Sequence, residues 1–254
     1  VVGMGPGSYE GMTGAAVAAL EKSDVIVGYT VYIDLVKDHF PGKSFLTTPM
    51  RKEVDRCVMA FDEAMKDQTV SISIYKDKWN WICCMCSMWF TCFIVNHLLT
   101  VSMICSGDAG VYGMAGLMYE IGANYPEVEL EVVAGVTAAT GGAAVLGAPL
   151  IHDFCLISLS DLLTPWERIE KRLIAAVEGD FAMAIYNPSS HKRADYLQRA
   201  CDILLSHGAK EDRACGYVEN IGREGTKAVT CTLGELRDAK VNMFTTVFIG
   251  NSQS

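Results

Sequence analysis

Three times along the chain an apolar run ends in a glycine-rich turn and gives way to helical spacing, and this rhythm limits the fold more than any other feature. Residues 1–4 run into Gly5-Pro6-Gly7, with helical spacing over 13–22 and Thr13 placed as its N-cap. Residues 101–105 run into Ser106-Gly107-Asp108-Ala109-Gly110, then a helix over 112–124. Residues 129–133 read as a strand ending at Gly135, followed by an alanine-rich stretch. Strand, turn, helix is the βα grammar of a parallel sheet. A further strand is expected over 24–28. An amphipathic helix is expected over 53–66, with Val54, Cys57, Val58, Phe61 and Met65 on one face.

The second half has a different rhythm. Strands are expected over 154–158, 181–186, 214–219, 227–232 and 245–250, with helices over 165–177 and 192–207. The last strands follow one another through short turns, which predicts a mixed sheet. At 254 residues, half of them apolar, the chain can bury a core in each half. The fold class is therefore α/β, as two α/β domains, residues 1–148 and 149–254, with the boundary near 147–153.

Charge and cysteine usage exclude several classes. The formal net charge is −9, so the surface repels nucleic acid, whose binding needs clustered Lys and Arg. Of the ten cysteines, Cys57, Cys105, Cys155, Cys201, Cys215 and Cys231 are scattered in apolar or helical stretches, and no leader-like segment is seen, which favours free thiols and a cytoplasmic location.

One segment breaks the pattern. Thr69-Val70-Ser71 recurs as Thr100-Val101-Ser102, and the interval holds Trp79, Trp81, Trp89, Cys83, Cys84, Cys86 and Cys92. Removing 72–102 restores one uninterrupted strand leading into the Gly107-Asp108 turn, so the segment reads as an insertion within the first domain. Residues 79–99 have about the length of a membrane span. Asn80, Ser87, Thr91, Asn96 and His97 weaken that reading, and a span would put the flanks of one domain on opposite sides of a bilayer; no membrane association is expected. The cysteine spacing matches no standard four-cysteine metal site, and no metal is expected. The segment is read as an extra packed element, an oligomer contact or a non-native translated stretch.

The glycine turns carry the chemistry. A glycine-rich turn between strand and helix exposes backbone N–H groups that can hold a carboxylate, and Asp108 can accept from an ammonium or hydroxyl group. Asp108 can equally cap the following helix. Small residues in Ala134-Gly135-Val136-Thr137-Ala138 leave room for a flat ring, and Thr137 offers a hydroxyl.

These motifs together resemble the tetrapyrrole methylases. The carriers are Val2-Gly3-Met4-Gly5-Pro6-Gly7, Ser106-Gly107-Asp108-Ala109-Gly110-Val111-Tyr112-Gly113 and Gly135-Val136-Thr137-Ala138. Ala109 stands where many relatives have proline. His152-Asp153-Phe154-Cys155-Leu156-Ile157-Ser158-Leu159-Ser160-Asp161-Leu162-Leu163-Thr164-Pro165-Trp166-Glu167, Tyr186-Asn187-Pro188-Ser189-Ser190, Gly222-Arg223-Glu224-Gly225 and Gly250-Asn251-Ser252 resemble the branch acting at C-17 of precorrin-3B or cobalt-factor III. The resemblance implies S-adenosylmethionine as cofactor in a cleft between the domains. It also implies methylation at C-17 with ring contraction to precorrin-4 or cobalt-precorrin-4, and a homodimer. The implied cofactor-binding residues are Gly5, Pro6, Gly107, Asp108, Val111, Tyr112, Thr137, Ala138, Tyr186, Asn187 and Gly222. Ring contraction calls for acid–base groups, for which His152, Asp153 and Glu219 are the candidates. The substrate carries many carboxylates, so Arg51, Lys192, Arg193 and Arg223 are expected to bind it. Two alternatives remain open: a methyltransferase of the same fold with another acceptor, such as diphthine synthase, and a non-catalytic binding protein disabled by the insertion.

Overall fold

The protein was analysed as a computed structural model, which describes residues 1–68, 97–190 and 193–254. The readings made for residues 69–96 and for Lys192 lie outside the described residues. In chain order the first half carries β1 (Val2–Gly3), α1 (Gly14–Lys22), β2 (Val25–Tyr29), α2 (Thr30–Val36), β3 (Ser44–Thr48) and α3 (Glu53–Ala64). It continues with β4 (Asp67–Gln68), β5 (His97–Leu98), β6 (Val101–Cys105) and α4 (Ala115–Gly122). The strands β1-β6-β2-β3 form a parallel sheet in that order, and β4 pairs antiparallel with β5.

A parallel sheet is covered on both faces, so its strands read as continuous apolar runs. β2 follows this rule: Val25 and Val27 pack with Cys57, Phe61 and Met103 beneath α3 and α4. Ile26 points the other way, into Leu20, Ile33 and Ile104 beneath α1 and α2. Thr13 caps α1 as expected, its hydroxyl accepting from Ala16 N at 3.1 Å. The face expected on α3 is partly corrected. Cys57 and Phe61 are buried, but Val54 and Met65 are exposed and Arg56 is buried instead. Arg56 Nε donates to Thr48 Oγ1 (2.8 Å) and Nη2 to the Pro49 carbonyl (3.2 Å), which turns the helix toward the end of β3.

Two further expectations are corrected. Residues 129–133 form no strand; they run beside β1 with a single bridge, Val2 to Val133. The helix expected from 112 starts at Ala115, because Tyr112 has a positive φ of 51° and Ala115 N donates to the Ala109 carbonyl. Val101 and Ser102, counted within the insertion, are the first residues of β6. Ser102 Oγ is buried and accepts from Ser23 Oγ at 2.7 Å.

The second half opens with α5 (Ala138–Leu146), β7 (Phe154–Ser158), α6 (Trp166–Glu178), β8 (Ala182–Tyr186) and α7 (Tyr196–Ser206). It closes with β9 (Ala214–Glu219), β10 (Lys227–Thr232), α8 (Leu233–Arg237) and β11 (Thr245–Ile249). The sheet runs β10-β9-β11-β8-β7, with β7 and β8 parallel and the other pairs antiparallel, so it is mixed as expected. One face carries Ile157, Met183, Ile185 and Val247 under α6, α7 and α8. The other carries Ala184, Val218 and Phe248 under α5. That packing moves the domain boundary expected near 147–153. α5 lies against β9, β10 and β11, so by burial it belongs to the second sheet, and the change of partner falls between Val133 and Ala138.

Candidate active site

The first two glycine turns leave the ends of the neighbouring strands β1 and β6 and meet backbone to backbone. Gly5 N donates to the Gly107 carbonyl (3.0 Å) and Gly107 N to the Gly5 carbonyl (2.8 Å). The third turn closes over them. A Cβ on Gly3 would stand 2.7 Å from both the Gly107 carbonyl oxygen and Gly135 N, and one on Gly135 only 2.2 Å from that same oxygen. Backbone atoms cannot swing aside, so glycine is required where the three turns touch. Asp108 fastens the arrangement: Oδ1 accepts from Gly110 N (2.8 Å) and Oδ2 from Gly135 N (2.9 Å). It does not cap α4, which starts seven residues later at Ala115.

The second domain supplies the facing wall. Tyr186 ends β8, and its hydroxyl accepts from Ala139 N (2.8 Å) and shares a hydrogen bond with Thr137 Oγ1 (2.6 Å). Burial pushes the Tyr186 and Tyr112 phenols up from their ordinary value, so both stay neutral at physiological pH. Their rings lie 5.0 Å apart, and Tyr112 Oη donates to the Leu156 carbonyl (2.9 Å), joining the domains. Asn187, at φ 52°, donates from Nδ2 to Ser158 Oγ (2.9 Å). Gly222 packs on Pro6; a Cβ there would stand 2.7 Å from Pro6 Cβ.

Together these groups line one cleft between the two sheets. Of the residues expected to bind the cofactor, Pro6, Gly107, Val111, Tyr112, Thr137, Ala138, Tyr186 and Asn187 line it. Gly5, Asp108 and Gly222 stand behind the wall and fix its shape. Arg223, expected to bind substrate, also lines the cleft. The sequence reading left out Tyr32, Asn220, Ile221 and the run Met243-Phe244-Thr245-Thr246. Nothing local marks them; β11 and the turn after β9 reach the cleft only through antiparallel pairing.

The expected acid–base groups lie apart from the cleft lining. His152 and Asp153 precede β7, whereas the cleft meets this sheet at the opposite end, where Ser158 is the register partner of Tyr186. A five-residue strand separates them by about 16 Å. His152 is exposed and lies near Asp180, and the Asp153 carbonyl accepts from Ala182 N (3.0 Å). Glu219 ends β9 just before Asn220 and does not line the cleft. The expected cations also separate. Arg51 is exposed in the turn after β3, away from the cleft lining. Arg193 is occupied by Asp161 (3.5 Å), Ser160 Oγ (2.8 Å) and Ser190 Oγ (3.1 Å), so it staples two loops rather than facing a ligand.

Comparison with known proteins fits this geometry. A family model described as Tetrapyrrole (Corrin/Porphyrin) Methylases matches residues 1–237. The probable cobalt-factor III C(17)-methyltransferase of Salmonella typhimurium is 38% identical over 252 residues, 99% of this chain and 91% of that protein. The cobalt-factor III methyltransferase of Priestia megaterium is also 38% identical, over all of this chain but only 42% of that protein, so the chain spans less than half of that relative. The crystal structure of the methyltransferase CobJ superposes with a TM-score of 0.78 at 32% identity, over 99% of this chain and 92% of that one. A glycine-floored cleft between two α/β domains and a family match over nearly the whole length lead to one conclusion: the chain belongs to the tetrapyrrole methylase family.

Proposed function

We propose that this chain is an S-adenosylmethionine-dependent methyltransferase of cobalamin biosynthesis, acting at C-17 of cobalt-factor III or its metal-free counterpart precorrin-3B. The observation that carries the reading is the cleft itself, assembled from the residues that the family resemblance assigns to the cofactor. The residues fit the group. Pro6, Ala138 and Ile221 offer apolar surface to a flat purine, and Thr137, Asn187, Asn220 and Thr246 offer polar atoms to ribose and amino-acid ends. The paired rings of Tyr112 and Tyr186 suit a sulfonium, because a cation is attracted to an aromatic face.

The bound cofactor supplies an activated methyl group, so no enzyme nucleophile is required. The chain's contribution is alignment. Backbone contacts among Gly3, Gly107 and Gly135 fix the floor, and the Tyr186–Thr137 bond fixes the wall, so both reactants are held in register. The hydroxyls of Tyr112 and Tyr186 are engaged with the Leu156 carbonyl and with Thr137, so these neutral phenols hold the wall in place rather than act as bases. The reading extends to a homodimer in the cytoplasm, as the family resemblance implies.

The test is turnover with S-adenosylmethionine and each tetrapyrrole, followed by product mass, with calorimetry of S-adenosylhomocysteine alongside. A product one methyl heavier, from either substrate, is expected. Absence of product from both, with no binding of S-adenosylhomocysteine, would overturn the reading.

A further inference from the structure

Among the described residues Arg223 is the one cationic side chain of the cleft lining, in a protein of net charge −9. Its Nη2 donates to Ser106 Oγ (3.2 Å) in the first domain, and its guanidinium sits 5.7 Å from the ring centroids of both Tyr32 and Phe244. Among the described residues no carboxylate pairs with it, whereas Arg193, Arg213 and Arg237 all have acidic partners. The first domain is shaped around it: Gly7 has φ 132°, and a Cβ there would stand 2.7 Å from Arg223 Nε. A half-buried guanidinium held by a hydroxyl and two aromatic rings keeps N–H donors for one further acceptor. Arginine so placed reads a carboxylate in two-pronged fashion.

We propose that Arg223 is the specificity residue that receives a peripheral carboxylate of the tetrapyrrole and so orients the macrocycle against the cofactor site. This rests on the function proposed above and assigns one residue within it. The cofactor's own carboxylate is the rival acceptor. It carries an ammonium on the same carbon, which already neutralises it, while the macrocycle's acids have no internal counter-ion. An acidic protein repels such a polyanion unless a cation meets it inside the cleft.

The test uses the full chain with R223Q and R223K. Affinity for uroporphyrin III, a tetrapyrrole with carboxylates around its rim, is read by fluorescence quenching, and affinity for S-adenosylhomocysteine by calorimetry. R223Q is expected to weaken uroporphyrin III roughly tenfold or more, with R223K recovering part of the loss. Added salt should weaken the wild type more than R223Q. The affinity for S-adenosylhomocysteine should be the same in all three. Where R223Q melts early, R223K decides. Unchanged uroporphyrin III affinity in both variants overturns the proposal, and so does a loss of S-adenosylhomocysteine affinity, which would give the guanidinium to the cofactor. The binding arms require no turnover, so failure of the methyl transfer itself would count against the function and not against this assignment.

Discussion

Both carboxylate oxygens of Asp108 are taken by backbone amides, those of Gly110 and Gly135, so its influence on a ligand is exerted through the shape of the floor. D108A leaves the exposed Gly110 N to water but strands the half-buried Gly135 N, which costs about 1–3 kcal/mol for a donor left unpaired. The variant should melt earlier, and its affinity for S-adenosylhomocysteine should fall by roughly tenfold, since a floor displaced by that energy no longer matches the ligand. Thermal melts and calorimetry on one preparation check both, and unchanged affinity would make Asp108 a purely structural brace. His152 and Asp153 stand at the far end of β7, so H152A and D153N should turn over like wild type in steady-state assays. A severe loss in either would return them to the chemistry. The glycine motifs were legible because a close approach of backbones allows one residue type only. The acid–base candidates fell outside the cleft lining because nearness to a domain boundary says nothing about which end of a strand faces the cleft.

At the scale of elements, strands were legible where they are apolar on both faces, as in β2 and β6. β3 was not, because Ser44, Thr47 and Thr48 give it no clear period and its pairing with β2 defines it. α5 was legible as a helix but not as part of the second sheet. An Ala- and Gly-rich helix has no marked face, and its partner is set by how Phe248 and Ile221 fill the space over Gly142, where a Cβ would meet both at 2.8 Å. The repeat around the insertion gives the sharpest element-scale test. Because Thr69-Val70-Ser71 and Thr100-Val101-Ser102 read alike, deleting 72–102 yields the same chain as deleting 69–99, with all of β6 and the serine that bonds Ser23 retained. Gln68 and His97 are register partners, so the chain that leaves β4 returns beside it in β5. The shortened protein should fold and bind S-adenosylhomocysteine at least as well as the parent. A deletion product that fails to fold, by circular dichroism, would show that the segment is integral.

For the whole molecule, the free thiols set an alkaline limit. Burial pushes Cys57 from its ordinary 9.0 up to about 11 and Cys201 up to about 12, and raises Cys215 as well. Below pH 9 folded and unfolded chains hold these protons alike. As pH rises from 9.0 through about 11 the unfolded chain releases protons that the folded chain keeps, so stability is lost with increasing pH. Urea midpoints should therefore be lower near pH 10 than near pH 8, and a midpoint that rose instead would contradict the burial of these cysteines. The two-domain α/β class was readable in advance because it follows from the order of elements. The cleft was half-readable, since one wall is written in local motifs and the other arises from contacts between distant segments. Its lining runs from Pro6 to Thr246, and its floor needs Gly3, Gly107 and Gly135 in contact at once. A chain leaving the ribosome therefore carries no finished site until β11 has emerged. Before that moment no ligand can assist its folding, and the nascent protein must find its long-range parallel pairing alone.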